Sequence, residues 1–224
     1  MPDAWRGVIC IENHDLVKTG AQPRLPRLAD GSNTRSWYAR SRSRVATALL
    51  LTAPGIPMLF MGQEFLEDHQ WSDDPTKSAN LIDWDGVRSG QQPLVDQLRF
   101  TQDVIRLRWR QPALRGPRVR VIHVHNHNRV LAFHRWLEGR GRDVLVIASL
   151  NDTTSYNYWV GFPAAGRWVE VFNSDVYDNW VNPTVVGNGG AVEATGAPLH
   201  GFEASCAIVL PANAVIVFAR DQGD

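Results

Sequence analysis

Apolar positions follow two different rhythms along this chain. Val8-Ile9-Cys10-Ile11 is a short continuous apolar run, the form expected of a strand buried on both faces. A polar stretch containing Pro23, Pro26, Gly31 and Asn33 separates it from residues 36–53, where Val45, Ala46, Leu49, Leu50 and Ala53 keep the spacing of one helical face. Pro54-Gly55 stops that helix, and Ile56-Pro57-Met58-Leu59-Phe60-Met61 is a second buried-strand run. Strand, helix and strand in this order predict a parallel pair joined by a right-handed crossover. Residues 62–92, rich in Asp, Trp and Gly, are too many for a connector and read as a candidate binding loop. Pro93 suits the start of a helix reaching Arg110. Its apolar side holds Leu94, Leu98, Ile105 and Val104 or Leu107, while Arg99, Arg106, Arg108 and Arg110 read as a solvated face.

Beyond Pro112 and Pro117 the rhythm shortens. Runs at 119–124, 130–136, 144–150, 156–162, 168–172, 207–210 and 215–218 are punctuated by Asn126-His127-Asn128, Gly139-Arg140-Gly141 and Pro163-Ala164-Ala165-Gly166. They predict an all-β module of antiparallel strands, a sandwich, with residues 181–202 as a long irregular loop. The expected fold class is therefore α/β followed by all-β.

Composition narrows the partners. Twenty-three Lys and Arg balance 23 Asp and Glu, so no net field favours nucleic acid or an anionic membrane. No apolar run approaches the ~18 residues of a membrane span, and no leader pattern precedes Trp5. Cys10 and Cys206 lie far apart in apolar runs, which reads as two buried thiols in a reducing compartment. The expectation is a cytoplasmic protein. Nine tryptophans in 224 residues are the unusual term; a flat apolar face with a polar handle suits a sugar ring as well as a core.

Asn13-His14-Asp15 follows the first strand, at the end where parallel α/β architectures place reacting groups. Gly62-Gln63-Glu64 follows the second and would bring Glu64 to the same rim. Glu67, Asp68, Asp73 and Asp74 read as a solvated loop. His123, His125 and His127 alternate on one face of a hairpin, with His134 on the next run, and read as solvent-facing side chains without a metal site. Glu170, Asp175 and Asp178 read as surface residues without calcium.

Residues 11–15, Ile-Glu-Asn-His-Asp, resemble a signature at the seventh strand of the (β/α)₈ barrel in the α-amylase family, glycoside hydrolase family 13. Residues 53–64, Ala-Pro-Gly-Ile-Pro-Met-Leu-Phe-Met-Gly-Gln-Glu, resemble its eighth-strand signature. Residues 65–75 and Val171-Phe172-Asn173-Ser174-Asp175 resemble the branching-enzyme group of that family. The resemblance implies that residues 1–114 are the seventh and eighth βα units of a TIM barrel and residues 115–224 the family's C-terminal all-β domain. It implies that His14 binds glucose hydroxyls and that Asp15 stabilises an oxocarbenium-like transition state. Asn13, Glu12, Gln63, Glu64 and Trp71 would line or support the same α-glucan site, and no cofactor is needed.

The family's nucleophilic aspartate and acid/base glutamate belong to the fourth and fifth strands, and neither motif occurs here. Retaining glycoside chemistry uses two carboxyl groups ~5 Å apart. The expectation is thus a catalytically incomplete piece of an enzyme whose parent cuts α-1,4 and forms α-1,6 glucosidic bonds. It would either self-associate or dock with the missing barrel part. Two alternatives stand beside it: weak glycosidase activity using Asp15 with Glu64 or Glu12, and a non-catalytic glucan-binding or assembly module stacking sugars on Trp159, Trp168 or Trp180.

Overall fold

The computed structural model describes residues 4–74, 76–77, 82–139 and 142–223. Parts of the expected binding loop and of the turn at 139–141 lie outside the described residues.

The first strand run gives β1 (Val8–Ile9) and the second gives β2 (Ile56–Pro57). They pair in parallel, Val8 with Ile56 and Ile9 with Pro57. Both are shorter than their apolar runs because each has one hydrogen-bonding neighbour among the described residues; the ladder ends where Met58 N donates to Ile9 O. Among the described residues no closed barrel is evident, only this pair and its helices.

Between them lie α1 (Leu25–Ala29), which the polar stretch conceals, and α2 (Trp37–Thr52). Ser36 caps α2 by accepting from Ala39 N, and Ala53 closes it before Pro54-Gly55. Its buried apolar residues are Ala39, Val45, Ala48, Leu50 and Leu51; of the expected stripe Val45 and Leu50 are buried, while Ala46, Leu49 and Ala53 are only partly so. Other elements pack around much of α2, so Ser41, Ser43 and Thr47 are buried too. The long loop carries a short helix, α3 (Trp84–Arg88), N-capped by Asp83. It is followed by α4 (Gln92–Arg110), with Pro93 in its first turn as expected. Arg108 leaves the expected solvated face: its guanidinium donates to the carbonyls of Leu51, Ala53 and Gly55 and closes the end of α2.

The β-module contains β3 (Arg118–His125), β4 (Val130–Trp136), β5 (Val144–Ser149), β6 (Ser155–Phe162), β7 (Gly166–Asn173), β8 (Ala191–Ala194), β9 (Ala204–Leu210) and β10 (Val215–Ala219). β8 interrupts the stretch expected to be irregular, pairing with β7. Six strands form one sheet in the order β3-β4-β5-β10-β7-β8, and β6 pairs with β9 in a second. All these pairs are antiparallel.

Two cores meet at the larger sheet. On one face Phe133, Val146 and Val217 pack against Val45, Phe100 and Val104 of α2 and α4. On the other, Ile147, Trp168 and Phe218 pack against Val160, Phe162 and Ile208 of the smaller sheet. With both faces covered, every residue of β5 and β10 is buried, which explains their uninterrupted apolar runs. The larger sheet thus has the smaller sheet on one face and helices on the other, a third layer beyond the expected two-sheet sandwich. Cys10 and Cys206 are free and half-buried rather than buried.

Candidate functional site

The site lies beyond the carboxyl ends of β1 and β2. After β1 the chain turns through Asn13, whose Oδ1 accepts from Asp15 N at 3.0 Å and Leu16 N at 2.9 Å. That turn presents His14 and Asp15 to solvent, 62% and 83% exposed, with His14 Nε2 3.4 Å from Asp15 Oδ1. After β2, Gly62 turns with φ +84°, and a Cβ there would stand 2.5 Å from Glu67 Cβ. Only glycine fits such a turn closely covered by another side chain.

The two loops then pair with each other. Trp71 N donates to Val17 O and Thr19 N donates to Trp71 O, which sets the indole against His14 at 5.8 Å between ring centroids. Beside it opens a cleft of about 380 Å³, walled by Arg24, Met61, Glu67, His69, Trp71 and Trp84 among others. An apolar hollow with two indoles and a few fixed polar groups suits a ligand with flat apolar faces and hydroxyl edges.

Glu12 and Gln63 form the frame of this site rather than its surface. Glu12 is 2% exposed and pairs with Arg24, whose Nη2 also donates to Met61 O at 2.9 Å. Gln63 is 4% exposed, and its Oε1 accepts from Phe60 N. A carboxylate that close to buried apolar surroundings needs its guanidinium, so Glu12 is held away from the rim. Glu64 is half-buried in the turn after β2, its backbone oxygen accepting from Thr101 on α4.

The acidic loop is only partly solvated. Glu67, 2% exposed, accepts from the backbone N–H groups of Asp68, His69 and Asp83 and contacts His69 Nδ1 at 2.8 Å. Asp68 accepts from Thr34 and Arg35. Glu67, Asp68 and His69 could offer ligand atoms to one metal ion, but these protein partners already occupy the carboxylates. Arg24, Glu67 and Trp84 escaped the sequence reading as site residues. The flanking Pro23 and Pro26, the acidic run and Asp83-Trp84-Asp85 marked their segments without revealing that these converge.

Other candidates are placed differently. Trp168 is fully buried. Trp180 is stacked between Tyr177 and Arg99, and Trp159 is half-exposed. Asp178 pairs with Arg40 and Arg44, while Asp175 and Glu170 accept from Val186 N and Asn188 N. These carboxylates organise the loop after β7, and are not free surface groups as expected.

Residues 121–221 match the family profile described as "Alpha amylase, C-terminal all-beta domain". The 1,4-alpha-glucan branching enzyme GlgB of Cupriavidus necator is 34% identical over 98% of this chain and 28% of its own length. That of Pseudomonas syringae pv. tomato is 31% identical over 94% of this chain and 27% of its own. This chain resembles the C-terminal part of a 1,4-alpha-glucan branching enzyme. It spans little more than a quarter of these relatives. Among solved structures, the pullulanase of Anoxybacillus sp. LM18-11 superposes with a TM-score of 0.65 at 19% identity, covering 97% of this chain and 28% of that one. The α-amylase of H. orenii gives 0.59 at 20% identity, covering 96% and 40%. These two likenesses speak to fold alone. Among the described residues, no helix is long and apolar enough to cross a membrane.

Proposed function

We propose that this chain is the C-terminal portion of a cytoplasmic α-glucan-active enzyme whose whole protein cuts α-1,4 and forms α-1,6 glucosidic bonds. Residues 1–114 are the last two βα units of its barrel, and residues 115–224 its all-β domain. The observation that carries this reading is the meeting of His14, Asp15 and Trp71 on one rim above a cleft, beyond the parallel pair β1 and β2.

In this reading His14 hydrogen-bonds a glucose hydroxyl, Asp15 stabilises positive charge developing on the sugar, and Trp71 packs against the sugar face. Asn13 shapes the turn that presents them, and Gln63 and Glu64 support the rim. Glu12 acts through Arg24 as a positioning residue. No cofactor enters this chemistry.

The chain by itself is catalytically incomplete. Glu12 is committed to Arg24 and Glu67 to backbone N–H groups and His69. That leaves Asp15, exposed beside His14, and Glu64, half-buried in the turn after β2, as the rim's uncommitted carboxyl groups, whereas the family's nucleophile and acid/base lie on strands outside these two βα units. Hydrolysis and branching assays on amylose, run with the purified chain and with Asp15→Asn, test this. The expected result is no turnover in either. Turnover that disappears in Asp15→Asn would overturn it and make Asp15 and Glu64 the pair to examine. Retardation in glycogen-containing gels that weakens in Trp71→Ala would support glucan binding at the rim, and absence of retardation would count against it.

A further inference from the structure

Far from the rim, three imidazoles form a row at the edge of the β-module. His123 stacks on His200 with centroids 4.1 Å apart and planes 21° from parallel, and on His125 at 5.8 Å and 29°. A bulge in β3 after Val121 sets His123 opposite Ala132 and His125 opposite Val130, residues whose side chains face the smaller sheet. Without that extra residue the histidines would follow the opposite face.

Hydrogen bonds hold each ring of the row in place. His200 Nδ1 accepts from Gly161 N at 3.2 Å, and His125 Nδ1 accepts from Asn128 N at 3.0 Å. His123 Nε2 shares a hydrogen bond of 2.7 Å with the Tyr158 hydroxyl. A neutral imidazole has one acceptor nitrogen and an imidazolium has none. A proton on Nδ1 of His200 therefore points at the Gly161 N–H. Near-parallel stacked rings also direct their lone pairs side by side, which suits a shared metal ion poorly.

His200 belongs to a hairpin, Leu199–Phe202, closed by paired bonds between Leu199 and Phe202. The hairpin lies so close over β6 that a Cβ on Gly161 would stand 2.1 Å from Leu199 O. Facing the row are Arg120 from β3, His127 and Asn128 from the following turn and Tyr158 from β6. Arg120 lies over the Phe202 ring, which also meets His134, itself bonded to Asp143. We propose that His123 and His200 form a proton-operated latch, holding the Leu199–Phe202 hairpin on β6 while the two rings are neutral and releasing it when they are protonated. Burial, and then the charge of the neighbouring imidazole, push His123 and His200 below the ordinary imidazole range. The latch thus stays closed at neutral pH and opens in acid.

Amide exchange of Gly161, corrected for its intrinsic pH dependence, reads the latch in the full chain. Between about pH 8 and about pH 5.5 the wild-type protection factor should fall by about tenfold or more. His200→Asn keeps an acceptor for Gly161 N–H that does not titrate, and asparagine tolerates the φ of +53° found there. It should hold its protection across the range. In His123→Gln, which removes the neighbouring charge, the release midpoint should move to higher pH. A constant wild-type protection factor overturns the latch, as does a fall in His200→Asn matching the wild type. If His200→Asn is unprotected at both pH values, an unchanged midpoint in His123→Gln overturns it. Histidine ¹⁵N spectra showing His200 protonated on Nδ1 at about pH 8 would do so directly.

Discussion

Arg24 Nη2 lies 2.8 Å from Glu12 Oε2, with the two side chains only 2% and 3% exposed. From that position the guanidinium also reaches Met61 O and His69 O, joining the segment after β1 to both halves of the loop after β2. Removing either partner strands a buried charge, so Arg24→Met and Glu12→Leu should each cost on the order of 3–5 kcal/mol in urea unfolding. The double variant should cost clearly less than the sum, because no orphan charge remains. Strict additivity would mean that the two groups do not stabilise one another.

A second buried cation fastens the β-module to the helices. Arg135 on β4 is fully buried and donates to the carbonyls of Thr52, Arg118, Leu114 and Gly116. Burial, with some help from Arg108, pushes it down to about 10, which leaves it charged at neutral pH. Arg135→Met would orphan four carbonyls at once and should lower stability by about 3–5 kcal/mol. Arg135→Lys should recover less than half, since a point ammonium cannot span a fork of four acceptors. Full recovery by lysine, measured as the urea midpoint, would show that charge alone matters at this position.

Arg135 also shows where sequence reading stops. Helices and strands with strong local signals were legible: the extent of α2 within residues 36–53, Pro93 in the first turn of α4, and the span of β4. Each is written in neighbouring residues. The paired strands β1 and β2 were overestimated because an apolar run records burial, while a strand also needs a neighbour. The sequence named Asn13, His14, Asp15 and Trp71, of which His14, Asp15 and Trp71 meet on one rim, but the inward turn of Glu12 and Gln63 was not legible. Glu12 meets Arg24, twelve residues on, through folding that no local pattern encodes, while Gln63 turns back on Phe60 N within its own turn. The histidine alternation was visible, and its sense was lost because one bulged residue in β3 reverses which face it follows.

Asp68 links stability to acid pH. Burial raises its affinity for a proton, but the Thr34 hydroxyl and the Arg35 guanidinium outweigh that and hold it below the usual carboxylate range. A depressed carboxylate contributes stability that is complete above its unfolded value of about 3.9 and is lost as pH falls through the folded value. Asp68→Asn should therefore be less stable than wild type at about pH 7, by about 1–3 kcal/mol. The gap should narrow toward about pH 3. Urea midpoints of both proteins at the two pH values decide it, and a gap that widens in acid would show that the carboxylate is not held in its charged form.

The parallel pair leaves apolar surface uncovered. Val8 is 64% exposed, Ile56 55% and Trp109 66%, and Trp109 borders a hollow of about 380 Å³ with Leu51, Pro57, Leu59 and Ile105. Exposed strand edges beside such a surface pair with whatever is available. The purified chain should accordingly self-associate in sedimentation velocity, with the fraction of oligomer rising with concentration. Val8→Lys combined with Trp109→Lys places two charges where apolar faces would meet, and should weaken association by about a hundredfold if each substitution costs about 1.4 kcal/mol. Glu170 is distant in sequence and already paired with Asn188; its replacement by Gln should leave the association constant unchanged. A wild-type chain that stays monomeric at ~100 μM, where even weak interfaces assemble, would show that these edges are tolerated in solution. Association unaffected by the two lysines would place the contact elsewhere, with the free edge of β3 as the next strand to substitute.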